Sequence, residues 1–209
     1  MTRWARWRGA DGPEPPGGRA GFLSGRRGHG HPKRVLVLGG ARSGKSVTAE
    51  RLLADWPQVD YVATGAAPSD DDPAWAARVR IHQQRRPATW TTLETLDLDG
   101  VLAAPDLVTP VLVDCLATWL AGVMDSCGLW TGKPDADETL ANRVDRFLDA
   151  WQSTRRHVVA VSNEVGSGVV PATASGVRYR DELGVLNARV AAQCQEVWLC
   201  TAGIARRLR

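Results

Sequence analysis

The stretch VLVLGGARSGKS at positions 35–46 limits the possible folds of this chain more than any other segment. It places Gly39, four further residues and then Gly44, Lys45 and Ser46 in the spacing of a phosphate-binding P-loop. An apolar run precedes the loop, as expected for a buried parallel strand, and a segment of helical periodicity follows it. The pattern therefore predicts an α/β fold in which a nucleoside triphosphate lies at a helix N-terminus.

The polar residues of this motif indicate how the triphosphate would be held. The glycines allow a tight turn whose backbone N–H groups point at phosphate oxygens, Lys45 adds a mobile positive charge, and Ser46 offers a hydroxyl for magnesium. Farther along, an apolar run over 108–113 ends at Asp114. An acid in that position resembles the Walker B carboxylate that holds magnesium, although an ordinary strand-end aspartate gives the same pattern.

Charge is distributed unevenly along the 209 residues, whose formal net charge is +3. Residues 1–34 contain eight Lys/Arg and two Asp/Glu, so the remainder holds 18 basic and 21 acidic side chains. Composition predicts a flexible, basic extension rich in Gly, Pro and Arg over 1–33 and one P-loop domain over 34–209. Trp4 and Trp7 among the arginines could stack on nucleic acid, but an unstructured extension is the favoured interpretation.

The remaining composition argues against a membrane or secreted protein. No apolar run approaches the length of a membrane span, and the N-terminal segment lacks the apolar core of a secretory signal. The four cysteines show neither C-x-x-C spacing nor another metal-binding pattern. We therefore expect a cytoplasmic protein with reduced thiols and no membrane partner.

The rest of the chain alternates predicted strands and helices, as in a doubly wound sheet. A strand over 59–63 is followed by Thr64 and Gly65, which would face the nucleotide because ligands gather at the carboxyl ends of such strands. Asp72 and Pro73 are typical of a helix start. Further strands are predicted over 89–95, 158–162 and 196–201, and the last of these is predicted to end the sheet. Helices are predicted over 47–56, 74–85, 116–124, 137–154 and 178–193. A turn is predicted near Pro105.

His82 is the candidate nucleophile of the predicted helix over 74–85. Arginines occupy the positions at i−4, i+3 and i+4 from it, namely Arg78, Arg85 and Arg86. Neighbouring positive charges disfavour another one, so the pattern predicts a neutral imidazole, which is the nucleophilic form. The arginines could also hold phosphate oxygens. Taken alone, the same pattern fits a partly exposed surface histidine.

Together these segments resemble one family, the bifunctional adenosylcobinamide kinase / adenosylcobinamide-phosphate guanylyltransferases of cobalamin biosynthesis. The resemblance extends from about residue 34 to the C-terminus and excludes the N-terminal extension. GGARSGKS, H-x-x-x-R-P and NEVGxGxVP are specific in combination, whereas the P-loop alone is not. The matching pieces are GGARSGKS (39–46), YVAT (61–64), RVRIHQQRRP (78–87), VLVDC (111–115), SNEVGSGVVP (162–171), YRDELGVLN (179–187) and EVWL (196–199).

The resemblance implies a P-loop NTPase fold of the RecA-like kind, with a mostly parallel sheet flanked by helices, assembled as a homotrimer. It implies two reactions on corrinoid substrates. ATP or GTP phosphorylates adenosylcobinamide, and GMP passes from GTP through a guanylylated histidine to adenosylcobinamide phosphate, giving adenosyl-GDP-cobinamide. The family's histidine falls on His82, with Lys45 as a second catalytic residue and Mg²⁺ held by Ser46 and Asp114. The implied nucleotide-binding positions are Gly39, Gly40, Ala41, Arg42, Ser43, Gly44, Lys45, Ser46, Ala63, Thr64, Gly65, Gln84, Arg85, Arg86, Pro87, Glu94 and Asp114.

Three other interpretations stay open at this stage. The chain departs from the commoner family residues at Val177, Ala188 and Cys194-Gln195, so it could retain the guanylyltransferase activity alone. A small P-loop kinase acting on another metabolite would keep the P-loop lysine but give His82 no covalent role. A nucleotide-dependent binding protein is disfavoured, because the sequence lacks the N-K-x-D motif with which switch GTPases recognise guanine.

Overall fold

The computed structural model describes residues 32–65 and 72–209, with the side chain of Arg78 left out. The predicted extension, apart from its last two residues, therefore lies outside the described residues, together with its tryptophans. The acidic stretch before Asp72 lies outside them as well. Within the described part, the chain forms one mostly parallel sheet with helices on both faces.

Seven strands of the described residues form this sheet. They are β1 (Arg34–Gly39), β2 (Asp60–Ala63), β3 (Thr91–Glu94), β4 (Val111–Asp114), β5 (Val158–Asn163), β6 (Glu196–Thr201) and β7 (Ile204–Arg207). Their order across the sheet is β3-β2-β4-β5-β1-β6-β7. All neighbouring strands are parallel except β6 and β7.

The helices of the described residues follow the strands in alternation through most of the chain. They are α1 (Lys45–Leu52), α2 (Pro73–Arg85), α3 (Leu98–Ala103), α4 (Leu116–Ser126), α5 (Ala136–Ser153) and α6 (Ala174–Ala192), with a short 3₁₀ helix at Leu129–Thr131. None of these helices combines the length and the apolar composition that crossing a bilayer would require.

The topology places the P-loop at a defined edge of the sheet. β5 lies between the P-loop strand β1 and β4, the strand that ends at Asp114. The carboxyl ends of the parallel strands meet at the edge where the loop follows β1, which is where such sheets bind ligands. This arrangement confirms the predicted α/β P-loop NTPase fold of the RecA-like kind.

The sheet has a hydrophobic core on each face. On one face the side chains of α3 to α6 cover the strands, and Trp119 and Phe147 pack with their ring centroids 4.8 Å apart. On the other face Ala49 of α1 and Leu53, which caps the end of that helix, are both fully buried. Strands buried on both faces are held in register by this packing, which is why their ends can position side chains accurately.

The helix that carries the candidate histidine begins where the sequence predicted. Asp72 caps α2, because its Oδ1 accepts a hydrogen bond from the backbone N–H of Trp75 at 2.9 Å, and Pro73 occupies the first turn. The helix ends at Arg85, since the residue before Pro87 is biased toward extended backbone.

The prediction that the strand over 196–201 ends the sheet is wrong. After β6 the chain turns at Ala202 and Gly203, which have φ angles of 51° and 82°, and returns as β7 antiparallel to β6. A short turn with positive φ at both positions suits the right-handed twist of a hairpin. Few features of the sequence indicate this strand, because Ile204–Arg207 is short and mostly without apolar alternation.

The segment predicted as a turn near Pro105 contains a helix, α3, before that proline. Asp97 starts it by accepting a hydrogen bond from the backbone N–H of Gly100 at 3.1 Å. β4 begins at Val111, three residues later than predicted. The delay arises because Asp106 accepts hydrogen bonds at 2.8 and 3.1 Å from two following backbone N–H groups and holds the segment in a turn.

Two other helix boundaries also differ from prediction. α6 begins at Ala174, four residues early, because Thr173 Oγ1 accepts a hydrogen bond from the backbone N–H of Gly176 at 3.1 Å and caps the helix. α1 ends at Leu52, four residues before the predicted end. Cap hydrogen bonds act locally and override weak apolar periodicity at helix ends.

Candidate active site

The P-loop joins β1 to α1 at the carboxyl edge of the sheet. Gly39 ends β1 where a side chain has no room, because a Cβ there would lie 2.3 Å from Ser43 Oγ and 2.7 Å from Cys200 O. Gly44 has a φ of 91°, a left-handed conformation that glycine adopts at little cost. These two positions explain why the motif requires glycine.

The hairpin formed by β6 and β7 contacts this loop through its turn. The backbone N–H of Gly203 donates to Ser43 O at 3.0 Å. Within the loop, Lys45 Nζ donates to Gly40 O at 3.2 Å. Ser43 is buried, whereas residues 40–42 are exposed. The inner part of the loop is therefore fixed by backbone contacts, while its outer part is open to a ligand.

Asp114, at the end of β4, is the residue where the predicted site residues meet. Its Oδ1 accepts from the Ser46 hydroxyl at 3.5 Å. Its Oδ2 accepts from the Tyr61 hydroxyl at 2.7 Å and lies 3.4 Å from Nδ1 of His82. Sheet register contributes to this geometry, because Ala63 of β2 lies beside Asp114. The structure thus brings Ser46, His82 and Asp114 together.

The surroundings of Asp114 favour its charged form. Burial raises the pKa of the carboxyl group, but hydrogen bonds from His82, Tyr61 and Ser46 lower it by more, so the net shift of the pKa is downward. The pKa of Tyr61 is raised, first by burial and then by the charge of Asp114. Asp114 is therefore an ionised acceptor, and the Tyr61 phenol is a protonated donor.

Nδ1 of His82 lies 3.4 Å from two different groups, Oδ2 of Asp114 and a guanidinium nitrogen of Arg85. Arginine only donates and a carboxylate only accepts, so the two contacts require opposite protonation of Nδ1. We assign the Nδ1 proton to the Asp114 contact, because the ionised carboxylate can only accept there, whereas the Arg85 nitrogen has another acceptor in Glu50 at 3.1 Å. In the neutral ring this assignment leaves the lone pair on Nε2, away from the carboxylate.

Arg86 is held by the surrounding protein. Its guanidinium carbon lies 3.7 Å from the centroid of the Tyr61 ring, within the range of a cation–π contact. Its Nε donates to the backbone carbonyl of His82 at 3.0 Å, and a terminal nitrogen donates to Thr92 Oγ1 at 2.8 Å. These contacts fix the end of α2 against β2 and β3.

Thr64 and Gly65, predicted to face the nucleotide, take part in packing. Thr64 is 4% exposed, and its Oγ1 lies 2.7 Å from both Cys115 O and Thr118 Oγ1. A Cβ on Gly65 would lie 2.6 Å from the indole ring of Trp75. Both residues therefore join the end of β2 to neighbouring helices, the threonine to α4 and the glycine to α2.

Three further predicted residues, the rim residues, are exposed at the surface. The side chains of Gln84 and Pro87, at and just after the end of α2, are exposed. Glu94 is also exposed and ends β3, beside Ala63 of β2. Glu94 thus lies at the carboxyl edge of the sheet, two strands from Asp114 in the order β3-β2-β4.

Ser46 and Asp114 present oxygen atoms that fit a magnesium ion. A hydroxyl and a carboxylate are the hard oxygen donors that Mg²⁺ prefers, and here they lie 3.5 Å apart. The described residues contain no group of three or more His, Cys, Asp or Glu side chains able to hold a metal by themselves. An ion at this place would therefore take its remaining ligands from nucleotide phosphates and water, as Mg²⁺ commonly does.

Two contributors to this site were not identified from the sequence. Tyr61 is a buried phenol in the strand β2, and a buried phenol usually needs a hydrogen-bond partner, which is a usable signal. Glu50 follows Ser46 by four residues on α1, which places both on one helix face. Their partners, however, come from other elements.

The fold and the site define a P-loop enzyme that transfers a group from a nucleoside triphosphate. Comparison with known proteins then identifies the family. The sequence model of the family described as cobinamide kinase / cobinamide phosphate guanyltransferase, CobU, matches residues 35–208. This chain belongs to that family, which confirms the resemblance seen in its motifs.

The relatives match over nearly their whole length. The bifunctional adenosylcobalamin biosynthesis protein CobU of Salmonella typhimurium is 36% identical over 185 residues, which cover 84% of this chain and 99% of that protein. The corresponding CobP of Pseudomonas aeruginosa is 37% identical over 179 residues, covering 84% and 97%. Among solved structures, an ATPase of the type III secretion system of pathogenic bacteria aligns with 85% of this chain and 58% of its own, at 10% identity and a TM-score of 0.49.

Proposed function

We propose that this chain phosphorylates adenosylcobinamide and transfers GMP from GTP to adenosylcobinamide phosphate, the two reactions after which its family is named. The observation that supports this most directly is the 3.4 Å contact between His82 and Asp114, a carboxylate that also contacts Ser46 of the P-loop. A nucleophile and a triphosphate cradle thus share one edge of the sheet. GTP and ATP are the proposed nucleotides.

In the proposed guanylylation, Nε2 of His82 attacks the α-phosphorus of GTP. A P–N bond forms, the bond from this phosphorus to the bridging oxygen breaks, and pyrophosphate leaves with the electron pair. Positive charge develops on the imidazole, and the Asp114 carboxylate stabilises it while the Nδ1 proton stays in their hydrogen bond. An oxygen of adenosylcobinamide phosphate then attacks the same phosphorus, and His82 leaves.

In the proposed phosphorylation, a hydroxyl of adenosylcobinamide attacks the γ-phosphorus of ATP or GTP. The bond from this phosphorus to the β–γ bridging oxygen breaks, the nucleoside diphosphate leaves with the electron pair, and the hydroxyl proton passes to solvent. Lys45 would exchange its bond to Gly40 O for contacts with the terminal phosphates. Ser46 and Asp114 would hold Mg²⁺, which neutralises phosphate charge when bound. The attacking hydroxyl and His82 would thus use different phosphorus atoms of triphosphates that bind, one after the other, at the same P-loop.

We propose two different roles for the remaining predicted positions. The exposed loop residues 40–42 can approach phosphate oxygens directly, and Arg85 would do so by exchanging its bond to Glu50 for one to a phosphate. Thr64, Gly65 and Arg86 have protein partners, so we propose that they shape the site rather than bind the nucleotide. The rim residues would contact the nucleotide or the corrinoid farther from the phosphates.

We further propose that the chain works as a cytoplasmic homotrimer, with the catalytic domain at 34–209 and a separate extension at 1–33. Val169 and Val170, 95% and 60% exposed, are apolar side chains of the kind that a subunit contact covers. All four cysteines are free thiols, which suits a reducing compartment. Light scattering of the full chain tests the trimer, which a monomeric mass would contradict.

Covalent capture of the intermediate tests the guanylyltransferase activity. After incubation with GTP and Mg²⁺, intact-mass and peptide mass spectrometry should locate a GMP adduct on His82. His82→Ala should form none. Gln83→Ala, an exposed neighbour on the same helix, is the matched control and should label like the wild type. A wild-type protein without the adduct, or with an adduct on another residue, contradicts the proposal.

The kinase activity is tested separately with ATP and adenosylcobinamide. Lys45→Ala should lose phosphorylation, whereas His82→Ala should retain it, because the histidine takes no part in γ-phosphoryl transfer. A Lys45→Ala variant with full activity would exclude the P-loop from this step. A wild type that forms the His82 adduct but phosphorylates no corrinoid would identify a guanylyltransferase alone.

A further inference from the structure

Tyr61 makes the shortest hydrogen bond to the Asp114 carboxylate. Its side chain lies in the core, with the residue 3% exposed, and its hydroxyl donates to Oδ2 at 2.7 Å. The other side-chain contacts of that carboxylate are long, 3.4 Å from Nδ1 of His82 and 3.5 Å from the Ser46 hydroxyl. Because hydrogen bonds weaken with distance, the Tyr61 bond contributes most to the orientation of Asp114.

The same bond decides which carboxylate oxygen meets which partner. With Oδ2 held by Tyr61, that oxygen faces His82 and Oδ1 faces Ser46. The terminal torsion of an aspartate is broad, so a carboxylate without a strong partner samples many orientations. Removal of the Tyr61 hydroxyl would therefore loosen the acceptor that aligns the imidazole.

The ring of Tyr61 reaches the helix of His82 by a second route. Arg86 lies 3.7 Å above the ring centroid and donates through Nε to the backbone carbonyl of His82 at 3.0 Å. One side chain thus contacts Asp114 through its hydroxyl and the end of α2 through its face. The separation between the carboxylate and the histidine depends on both contacts.

We propose that Tyr61 is a positioning residue for the guanylylation of His82. Its hydroxyl orients the Asp114 carboxylate, and its ring holds the Arg86 guanidinium in place. Asp114 and Arg86 then orient the imidazole of His82 so that Nε2 points toward the α-phosphorus of GTP. This inference rests on the proposed guanylyl transfer. It predicts slower formation of the P–N bond without weaker GTP binding, because the P-loop rather than Tyr61 holds the triphosphate.

The test is Tyr61→Phe, which removes the hydroxyl and keeps the ring. In rapid-quench experiments with α-labelled GTP, we expect the rate constant of His82 guanylylation at saturating GTP to fall about tenfold. We expect the GTP concentration at half-maximal rate to change less than about twofold, since this interaction acts on the reacting geometry. Tyr61→Leu also removes the surface under Arg86 and should be slower still.

Tyr179→Phe is the matched control, because its hydroxyl likewise donates, to Ala117 O at 3.0 Å, away from Asp114. It should guanylylate His82 at the wild-type rate. Equal rates for Tyr61→Phe and wild type would overturn the inference. Equal slowing of Tyr61→Phe and Tyr179→Phe would also overturn it, as would weaker GTP binding with an unchanged maximal rate. A wild type that forms no His82 adduct would instead refute the proposed function itself.

Discussion

The two edges of the sheet differ in how closely their charged side chains are hydrogen-bonded, and Arg156 is the example at the amino edge. Arg156 there is 2% exposed, just before β5. Its guanidinium donates to Thr109 O at 2.9 and 2.7 Å, to Val101 O at 3.3 Å, and to Oδ2 of Asp60 at 2.5 Å. A buried cation with this many acceptors stabilises the junction of β2, β4 and β5, and its hydrogen-bonding capacity is largely used.

At the carboxyl edge, two of the contacts of Asp114 are long. Asp114 lies 3.4 Å from His82 and 3.5 Å from Ser46, near the limit of a hydrogen bond. Ser43 Oγ and Ser162 Oγ are buried among the described residues without a hydrogen-bond partner. Long contacts and unpaired hydroxyls can be replaced by contacts to a ligand at low cost. Catalytic hydrogen bonds also often shorten only when substrate binds.

The difference between the edges shows where to expect stability and where to expect chemistry. Both edges belong to the same sheet, and β2 contributes to each, with Asp60 at one end and Tyr61 reaching Asp114 at the other. Substitutions at the amino edge should lower stability and leave the catalytic rates unchanged. Substitutions around Asp114 should lower the catalytic rates and leave stability nearly unchanged. The following four experiments test that division.

The largest effect should come from Asp114→Asn at the carboxyl edge. The amide keeps the size of the side chain but removes the charge that faces His82 and Ser46. We expect both the guanylylation and the phosphorylation rates to fall about 100-fold or more, because stabilisation of developing charge is lost. Melting temperatures should stay close to wild type. Near-normal rates would show that the carboxylate has no role in either reaction.

Arg156→Met should give the largest loss of stability. It leaves Asp60 without its buried partner, so the free energy of unfolding should fall by about 3 kcal/mol and the melting temperature by roughly 10 °C. Denaturant titration and calorimetry measure this. The guanylylation rate per folded molecule should be unchanged at a temperature where the variant is folded. Loss of rate with full stability would break the contrast between the edges.

Thr64→Val tests a residue at the carboxyl edge whose hydroxyl already has hydrogen-bond partners in the protein, as the Arg156 guanidinium does at the amino edge. The substitution removes contacts to Cys115 O and Thr118 Oγ1, so the free energy of unfolding should fall by about 1–3 kcal/mol. The Michaelis constant for GTP should change little. A large rise in that constant at full stability would instead make Thr64 a nucleotide contact, as its sequence position suggested.

Glu50→Gln should have the smallest effect. Its ion pair with Arg85 is partly exposed, and such pairs contribute about 0.2–1 kcal/mol. We expect the guanylylation rate to fall at most a few-fold, from looser placement of α2. Glu138 is an exposed acid on α5, so Glu138→Gln is the control and should leave the guanylylation rate unchanged. A larger loss would mean that Arg85 depends on this pair to reach the nucleotide.

Much of the fold followed from short patterns. The strand before the P-loop, the cap at Asp72 with Pro73, and the buried strand over Val158–Asn163 are local features whose energies depend on neighbouring residues. The same patterns missed α3 and β7. The first is a short helix begun by one cap, and the second is an edge strand whose stability comes from pairing with β6.

The sequence alone determined that this chain has a P-loop, belongs to a family of corrinoid-modifying enzymes and offers His82 as a nucleophile. Only the tertiary structure decided that His82 and Tyr61 share one oxygen of Asp114, because these residues come from α2, β2 and β4. Tyr61 and Asp114 are 53 positions apart in the chain. Their contact depends on strand order and register, which are set by burial over the whole sheet rather than by any local pattern.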